Sequence, residues 1–197
     1  MIIGVDLDDV LAESFSSMDD FHNEKYGTSL KKEDHFTFDL TKVWKATKEE
    51  CRKRMTEFNH SKHNENIKPI IAAQKGLQIL TKKHRVVVIT SRMESFRHKT
   101  EEWLQKHYGD HNLDVHHANH YYGLNEHKKS HICQKLGVDV LIDDCLEYAE
   151  ECGDENISVL LLDNPWNQTE NLPKNVTRVK DWEDILEKIK DMEKNEK

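Results

Sequence analysis

The chain has 197 residues, 36% of them hydrophobic, which is enough for one sizeable core or for one core with a small appended domain. No apolar run approaches the roughly 18 residues of a membrane span, and the first residues enter a strand pattern directly without the features of a signal peptide, so a cytoplasmic protein with no membrane partner is expected. A formal net charge of −8 argues against a nucleic-acid polymer as the main partner and leaves room for a small anion held through a metal.

In chain order, Ile2-Ile3-Gly4-Val5 reads as a buried strand running into Asp6-Leu7-Asp8-Asp9. In an extended chain Asp6 and Asp8 share a side while Leu7 turns away, and two like charges that close call for a cation or a shared proton. Leu11, Phe15, Met18 and His22 then follow at helical spacing until Gly27 and Thr28 break it. His35 to Leu40 is short and aromatic, and Thr47-x-x-Glu50 is a capping box ahead of a helix carrying Cys51, Met55 and Phe58 on one face. Asn59 to Lys68, polar except for Ile67, reads as the exit from a small helical insert spanning 12–68.

From Pro69 onward helices and strands alternate. Ala73, Leu77 and Leu80 mark a helix, Arg85 to Thr90 a strand buried on both faces, and Phe96, Thr100, Trp103 and Leu104 the next helix. Leu113 to His117 is a short strand; Ile132, Cys133 and Leu136 lie on a helix stopped by Gly137; Val138 to Ile142 is a strand ending in Asp143-Asp144. Ser158 to Leu162 is a further buried strand. A last helix starts at Asp181, with Trp182, Ile185, Leu186 and Ile189 on one face and only the final six residues frayed. Such alternation predicts right-handed crossovers and an α/β fold with a Rossmann-like parallel sheet flanked by helices.

Ligands of an open parallel sheet bind outside the carboxyl ends of its strands. Asp6 and Asp8, Thr90 and Ser91, and Asp143 and Asp144 all end strands, so one edge gathers a magnesium-sized oxygen site with hydroxyl donors beside it. Lys128 and Lys129 fall near a helix start, where positive charge opposes the helix dipole, and an adjacent anionic site gives one of them a reason to be there. His116, His117 and His120 raise a zinc alternative, which lacks a paired ligand at defined spacing. The four cysteines, Cys51, Cys133, Cys145 and Cys152, have no C-x-x-C spacing and read as reduced structural thiols.

Asp6-x-Asp8, the strand-ending Thr90, a lysine before the next strand and Asp143-Asp144 resemble, in that order, the four motifs of the haloacid dehalogenase-like phosphohydrolases. Ile89-Thr90-Ser91-Arg92 with Thr100-x-x-Trp103-Leu104, Phe38-Asp39-Leu40-x-x-Val43-Trp44, and Asp163-Asn164-Pro165-Trp166-Asn167 resemble the 5′(3′)-deoxyribonucleotidase branch and its bacterial relatives. One departure is Asp9, where those nucleotidases usually have glycine. The resemblance implies a core of residues 1–11 and 69–197 with residues 12–68 as a helical cap inserted after the first strand. It implies a magnesium-dependent phosphatase acting on a small phosphomonoester, most naturally a (deoxy)nucleoside monophosphate, with a sugar phosphate as the alternative.

In that chemistry Asp6 is the nucleophile that forms an aspartyl phosphate, and Asp8 is the acid and base. Asp6, the backbone carbonyl of Asp8, and Asp144 hold Mg2+, with Asp143 outside them. Thr90 and Lys129, or Lys128 in its place, hold the phosphoryl oxygens. Ser91, Arg92, Phe15, Phe38 and Trp44, with Phe36 beside them, are the candidate substrate-binding residues; aromatics in a small helical domain are more often its own core. A homodimer is compatible with this reading. A receiver-like signalling module fits less well, because its phosphorylated aspartate sits in mid-chain, its lysine ends the last core strand, and it has no cap.

Overall fold

Ile2–Val5 (β1) is central to the molecule because strands pair with it on both sides. The computed structural model describes residues 1–121, 124, 125 and 128–195. After β1 come helices α1 (Ser14–Tyr26), α2 (Leu40–Val43), α3 (Lys48–Asn59), α4 (Lys62–Glu65) and α5 (Ile71–Leu80). The chain continues through β2 (Arg85–Thr90), α6 (Arg97–Tyr108), β3 (Asp114–His117), a short antiparallel pair β4 (His120–Tyr121) and β5 (Leu124–Asn125), and α7 (Lys129–Leu136). It closes with β6 (Val140–Asp143), α8 (Leu146–Asp154), β7 (Ser158–Leu162), β8 (Val176–Val179) and α9 (Trp182–Asn195).

Among the described residues six strands form one parallel sheet in the order β3-β2-β1-β6-β7-β8. The order reverses direction between β1 and β6, the switch point at which a doubly wound sheet opens a crevice. The register there sets Val5 beside Ile142, so Asp6 and Asp143 emerge side by side. Strict alternation buries both faces. Ile3, Val5, Val86, Val88, Val140, Ile142, Leu160 and Leu162 pack with residues of α5, α6 and α9. Val87, Ile89, Leu141, Val159 and Leu161 pack against α7 and α8.

Local signals account for most boundaries. Thr47 accepts from the Glu50 N–H at 3.2 Å and the Glu50 carboxylate accepts from the Thr47 N–H at 2.8 Å, the reciprocal box expected from the sequence. Asp181 accepts from the N–H groups of Glu183 and Asp184, both at 2.9 Å, and so starts α9. Gly27 (φ 66°) and Gly137 (φ 68°) end α1 and α7 in the left-handed region. The structure differs from expectation at several places. Asn59 to Lys68 is not a plain exit segment, because Ser61 caps the single turn of α4. The elements α2, β4, β5, α8 and β8 are not expected from the sequence. The C-terminal residues are not frayed from position 192, since α9 runs to Asn195; residues 196 and 197 lie outside the described residues.

The chain leaves the sheet at Leu11–Glu13 and returns beside itself. Glu13 N–H donates to Lys68 O at 2.9 Å and Ile70 N–H to Leu11 O at 2.8 Å. The helices α1 to α4 lie between these two crossings.

Candidate active site at the carboxyl edge of the sheet

Asp6 continues the ladder past β1, its N–H donating to Ile142 O at 2.9 Å. Leu7 is fully buried with Ile3 and Val5, which leaves Asp6 and Asp8 on the opposite side. The chain then turns sharply, with the Leu11 and Ala12 N–H groups both donating to Leu7 O at 2.9 Å. Asp9 sits in this turn at φ 57°, where glycine is least strained and aspartate is tolerated. Its carboxylate accepts from the Phe15 N–H at 3.1 and 3.2 Å and so caps α1, a gain glycine cannot supply.

Asp8 is gripped from two sides. Arg92 donates to it through Nε at 3.0 Å and Nη2 at 2.7 Å, and the Ser14 hydroxyl donates to the same oxygen as Nη2. Burial alone would raise the Asp8 carboxyl, but the Arg92 charge and these hydrogen bonds bring it below the usual range. At Asp9, burial followed by repulsion from Asp8 outweighs the Phe15 N–H and the Lys32 charge and pushes the carboxyl well up.

Across the switch point, Lys129 on the first turn of α7 is fully buried. Its Nζ donates to Asp6 Oδ1 and to Asp143 Oδ2, both at 2.7 Å, and lies 4.4 Å from the centroid of the Tyr148 ring. Lys128 is exposed, one residue earlier. The second oxygen of Asp143 accepts from the Cys145 N–H at 2.9 Å, so that carboxylate is fully engaged. Asp144 is held by residues beyond β7: Trp166 Nε1 donates to its Oδ2 at 2.9 Å and Asn167 Nδ2 to its backbone oxygen at 2.7 Å. Lys129 thus engages Oδ1 of Asp6 and Trp166 engages Oδ2 of Asp144, and both carboxylates line a cavity at this edge.

Asp6, Asp143 and Asp144 each present a carboxylate oxygen within 4.8 Å of the other two, the one such cluster of His, Cys, Asp or Glu among the described residues. Lys129 cannot balance them. Burial pushes Asp6 up to about 7, with Lys129 opposing and Asp143 adding to it. Burial and the neighbouring Asp143 and Asp6 push Asp144 well above the usual range. For Lys129 the desolvation is outweighed by Asp143 and Asp6, and its ammonium is held well above its ordinary value. Three clustered, buried carboxylates short of positive charge form a donor set that suits a hard divalent cation.

A cavity of about 480 Å³ opens over this edge, within the range of small-ligand sites. Asp6, Asp8, Asp144, Ser91, Arg92, Phe15 and Phe38 line it, together with Met18, Phe58 and Phe96. Thr90 is buried at its strand end and accepts from the Arg92 N–H at 3.2 Å. Trp44 stacks on His22 at 4.7 Å inside the helical layer, and Phe36 is 63% exposed; neither lines the cavity. His117 Nδ1 meets Arg92 O at 3.1 Å, and the zinc alternative gains no support at His116 and His117; the side chain of His120 lies outside the described residues.

Several neighbours of the site were not legible beforehand. Ser14, Tyr148, Trp166 and Asn167 all touch a candidate catalytic group, and the Trp166 ring, 4.5 Å from Phe15, joins the support of Asp144 to α1. The aromatic signature 163–167 marked the segment without showing what it holds.

Comparison with known proteins follows the same line. A family model described as 5′ nucleotidase, deoxy (pyrimidine), cytosolic type C matches residues 1–194. YqfW of Bacillus subtilis, provisionally named a nucleotidase, is 25% identical over 197 residues, covering 98% of this chain and 94% of its own. BH1399 of Halalkalibacterium halodurans, named in the same way, is 25% identical over 180 residues, covering 91% and 87%. Among solved structures, the haloacid dehalogenase-like hydrolase SP0104 from Streptococcus pneumoniae superimposes with a TM-score of 0.70 at 13% identity, over 95% of this chain and 97% of that one.

Proposed function

The chain belongs to the 5′ nucleotidase, deoxy (pyrimidine), cytosolic type C family of haloacid dehalogenase-like phosphomonoester hydrolases, and from that premise we propose that it hydrolyses (deoxy)nucleoside monophosphates through a phosphorylated Asp6. The observation that carries this is Asp6 itself. It is a buried carboxylate that lines the cavity, with Oδ1 held by Lys129. The oxygen that Lys129 does not hold attacks phosphorus, which divides one difficult displacement into two. Asp8, two residues on and facing the same side, delivers a proton to the leaving oxygen and then takes one from water.

Lys129, Ser91 and Thr90 stabilise the phosphoryl oxygens as their charge shifts. Asp6, Asp144 and the backbone carbonyl of Asp8 would hold Mg2+, with the fully engaged Asp143 behind them; when bound, the ion supplies charge neutralisation between nucleophile and phosphate. Residues 12–68 act as the cap over a core of 1–11 and 69–197, a division supported by the paired crossings at Glu13–Lys68 and Leu11–Ile70. Phe15, Phe38, Phe58 and Phe96 give the cavity an apolar, aromatic wall, which suits a nucleobase better than a bare sugar.

A screen of nucleoside monophosphates, sugar phosphates and aryl phosphates, with and without magnesium, tests the proposal. Preferential, magnesium-dependent release of phosphate from nucleotides is expected. A preference for sugar phosphates would overturn the nucleotide assignment, and undiminished turnover after removal of divalent cations would overturn the metal.

A further inference from the structure

Asp8 faces a conflict of partners. Both its oxygens are taken, one by Arg92 Nη2 and Ser14 and the other by Arg92 Nε, yet an acid and base must turn an oxygen toward the leaving group. Arg92 must let go. Its backbone is anchored, since its N–H donates to the Thr90 hydroxyl at 3.2 Å and its carbonyl meets His117 Nδ1 at 3.1 Å, so exchange involves the side chain alone. That side chain is 18% exposed and lies in the wall of the cavity that also contains Asp6 and Ser91. A guanidinium fork fits a phosphoryl group as well as it fits a carboxylate, and a dianion attracts it more strongly than a single carboxylate does.

We propose that Arg92 is a shared ligand: it clamps Asp8 before substrate arrives, and the incoming phosphoryl group takes it over, so that binding of phosphate and release of Asp8 are one exchange. This rests on the phosphoryl site proposed above. It makes Asp8 a competitor of the substrate for Arg92, and gives Arg92 two partners in turn.

The test measures binding of inorganic phosphate, in the presence of magnesium, by calorimetry. Four proteins are compared: wild type, Asp8→Asn, Arg92→Ala and the double variant, each with a melting curve. Removing the Asp8 charge tightens phosphate binding on any account, so the deciding comparison is Arg92→Ala within the Asp8→Asn background. If Arg92 transfers to phosphate, its loss there weakens binding by roughly 10- to 150-fold, the worth of a charge-assisted contact. A change below about twofold would mean that Arg92 only neutralises Asp8, and would overturn the exchange. Failure of wild type and Asp8→Asn alike to bind phosphate in competition with substrate would overturn the phosphoryl site, and the exchange with it. Should the double variant not fold, Arg92→Lys in the Asp8→Asn background keeps the charge and loses the fork; severalfold weaker binding is expected, and undiminished binding overturns the proposal.

Discussion

Replacing Lys129 by methionine keeps the length of the side chain and deletes its charge. The Lys129 side chain is 0% exposed, and Asp6 and Asp143, each 2.7 Å from Nζ, are 8% and 0% exposed, so water cannot replace the lost partner. Breaking a buried ion pair from one side costs about 3 to 5 kcal/mol, and this places Lys129→Met among the more damaging single changes the chain can undergo. The pH dependence has a definite sign. Burial holds Asp6 at about 7 against 3.8 when unfolded, even with Lys129 present. Without the lysine the folded value rises further. A carboxyl raised by folding favours the folded state below its unfolded value and loses that contribution as pH rises through the folded one. The deficit of Lys129→Met should therefore be largest near pH ~8 and shrink toward pH ~5.

Urea denaturation at a series of pH values, with metal removed, measures it. Lys128→Met, at an exposed position, should lie within about 0.5 kcal/mol of wild type throughout, and turnover should fall far more in Lys129→Met. A deficit under about 1 kcal/mol at alkaline pH, or one that grows on acidification, would show that Lys129 does not balance these carboxylates.

Three further outcomes are expected. A Cβ on Gly76 would lie 2.2 and 2.7 Å from Trp182 Cε3 and Cζ3, where α5 crosses α9. Gly76→Ala should thus lower stability by about 1 to 3 kcal/mol despite the better helix propensity of alanine, which chemical denaturation will show. Asp9→Ala loses the cap on α1 and keeps the strained backbone, so a loss of about 1 to 2 kcal/mol is expected; Asp9→Gly, which relieves the strain, should lose less. Finally, Phe38→Ala should lower the ratio of kcat/KM for a deoxynucleotide to that for an aryl phosphate by roughly five- to 150-fold, the range for lost base stacking. Trp44→Ala, inside the helical layer, should leave that ratio unchanged and lower stability by about 3 to 5 kcal/mol.

The strands that build the sheet were legible because burial on both faces leaves an uninterrupted apolar run, as in Val86 to Ile89, and because their polar ends all fall at one edge. Caps were legible where the motif is local, at Thr47 with Glu50 and at Asp181. The missed elements carry weak local signals. In β8 only Val176 and Val179 are buried, and α8 rests on Ala149, Cys152 and Gly153 amid acidic residues. At the site, the main motif residues were readable from strand ends, while their supports were not. Arg92 lies 84 residues from Asp8, and Trp166 is 22 residues from Asp144. Such partners are joined by tertiary packing, and no periodicity in the chain records them. Asp9 shows the reverse case, a departure from the family pattern whose reason, a left-handed turn that also caps a helix, appears only in three dimensions.

The most direct test of Asp6 as the attacking group uses Asp8→Asn with an activated aryl phosphate. Such a leaving group departs without a proton, so the first displacement should proceed while the second, which needs a base at position 8, stalls. With magnesium present, rapid mixing followed by acid quench and peptide mass analysis is expected to show a burst of about one aryl alcohol per protein. The phosphoryl group should reside on the peptide that contains Asp6, and Asp6→Asn should give neither burst nor adduct. Steady release of aryl alcohol by folded Asp6→Asn protein, or a burst that leaves the phosphoryl group on another residue, would contradict the assignment of Asp6.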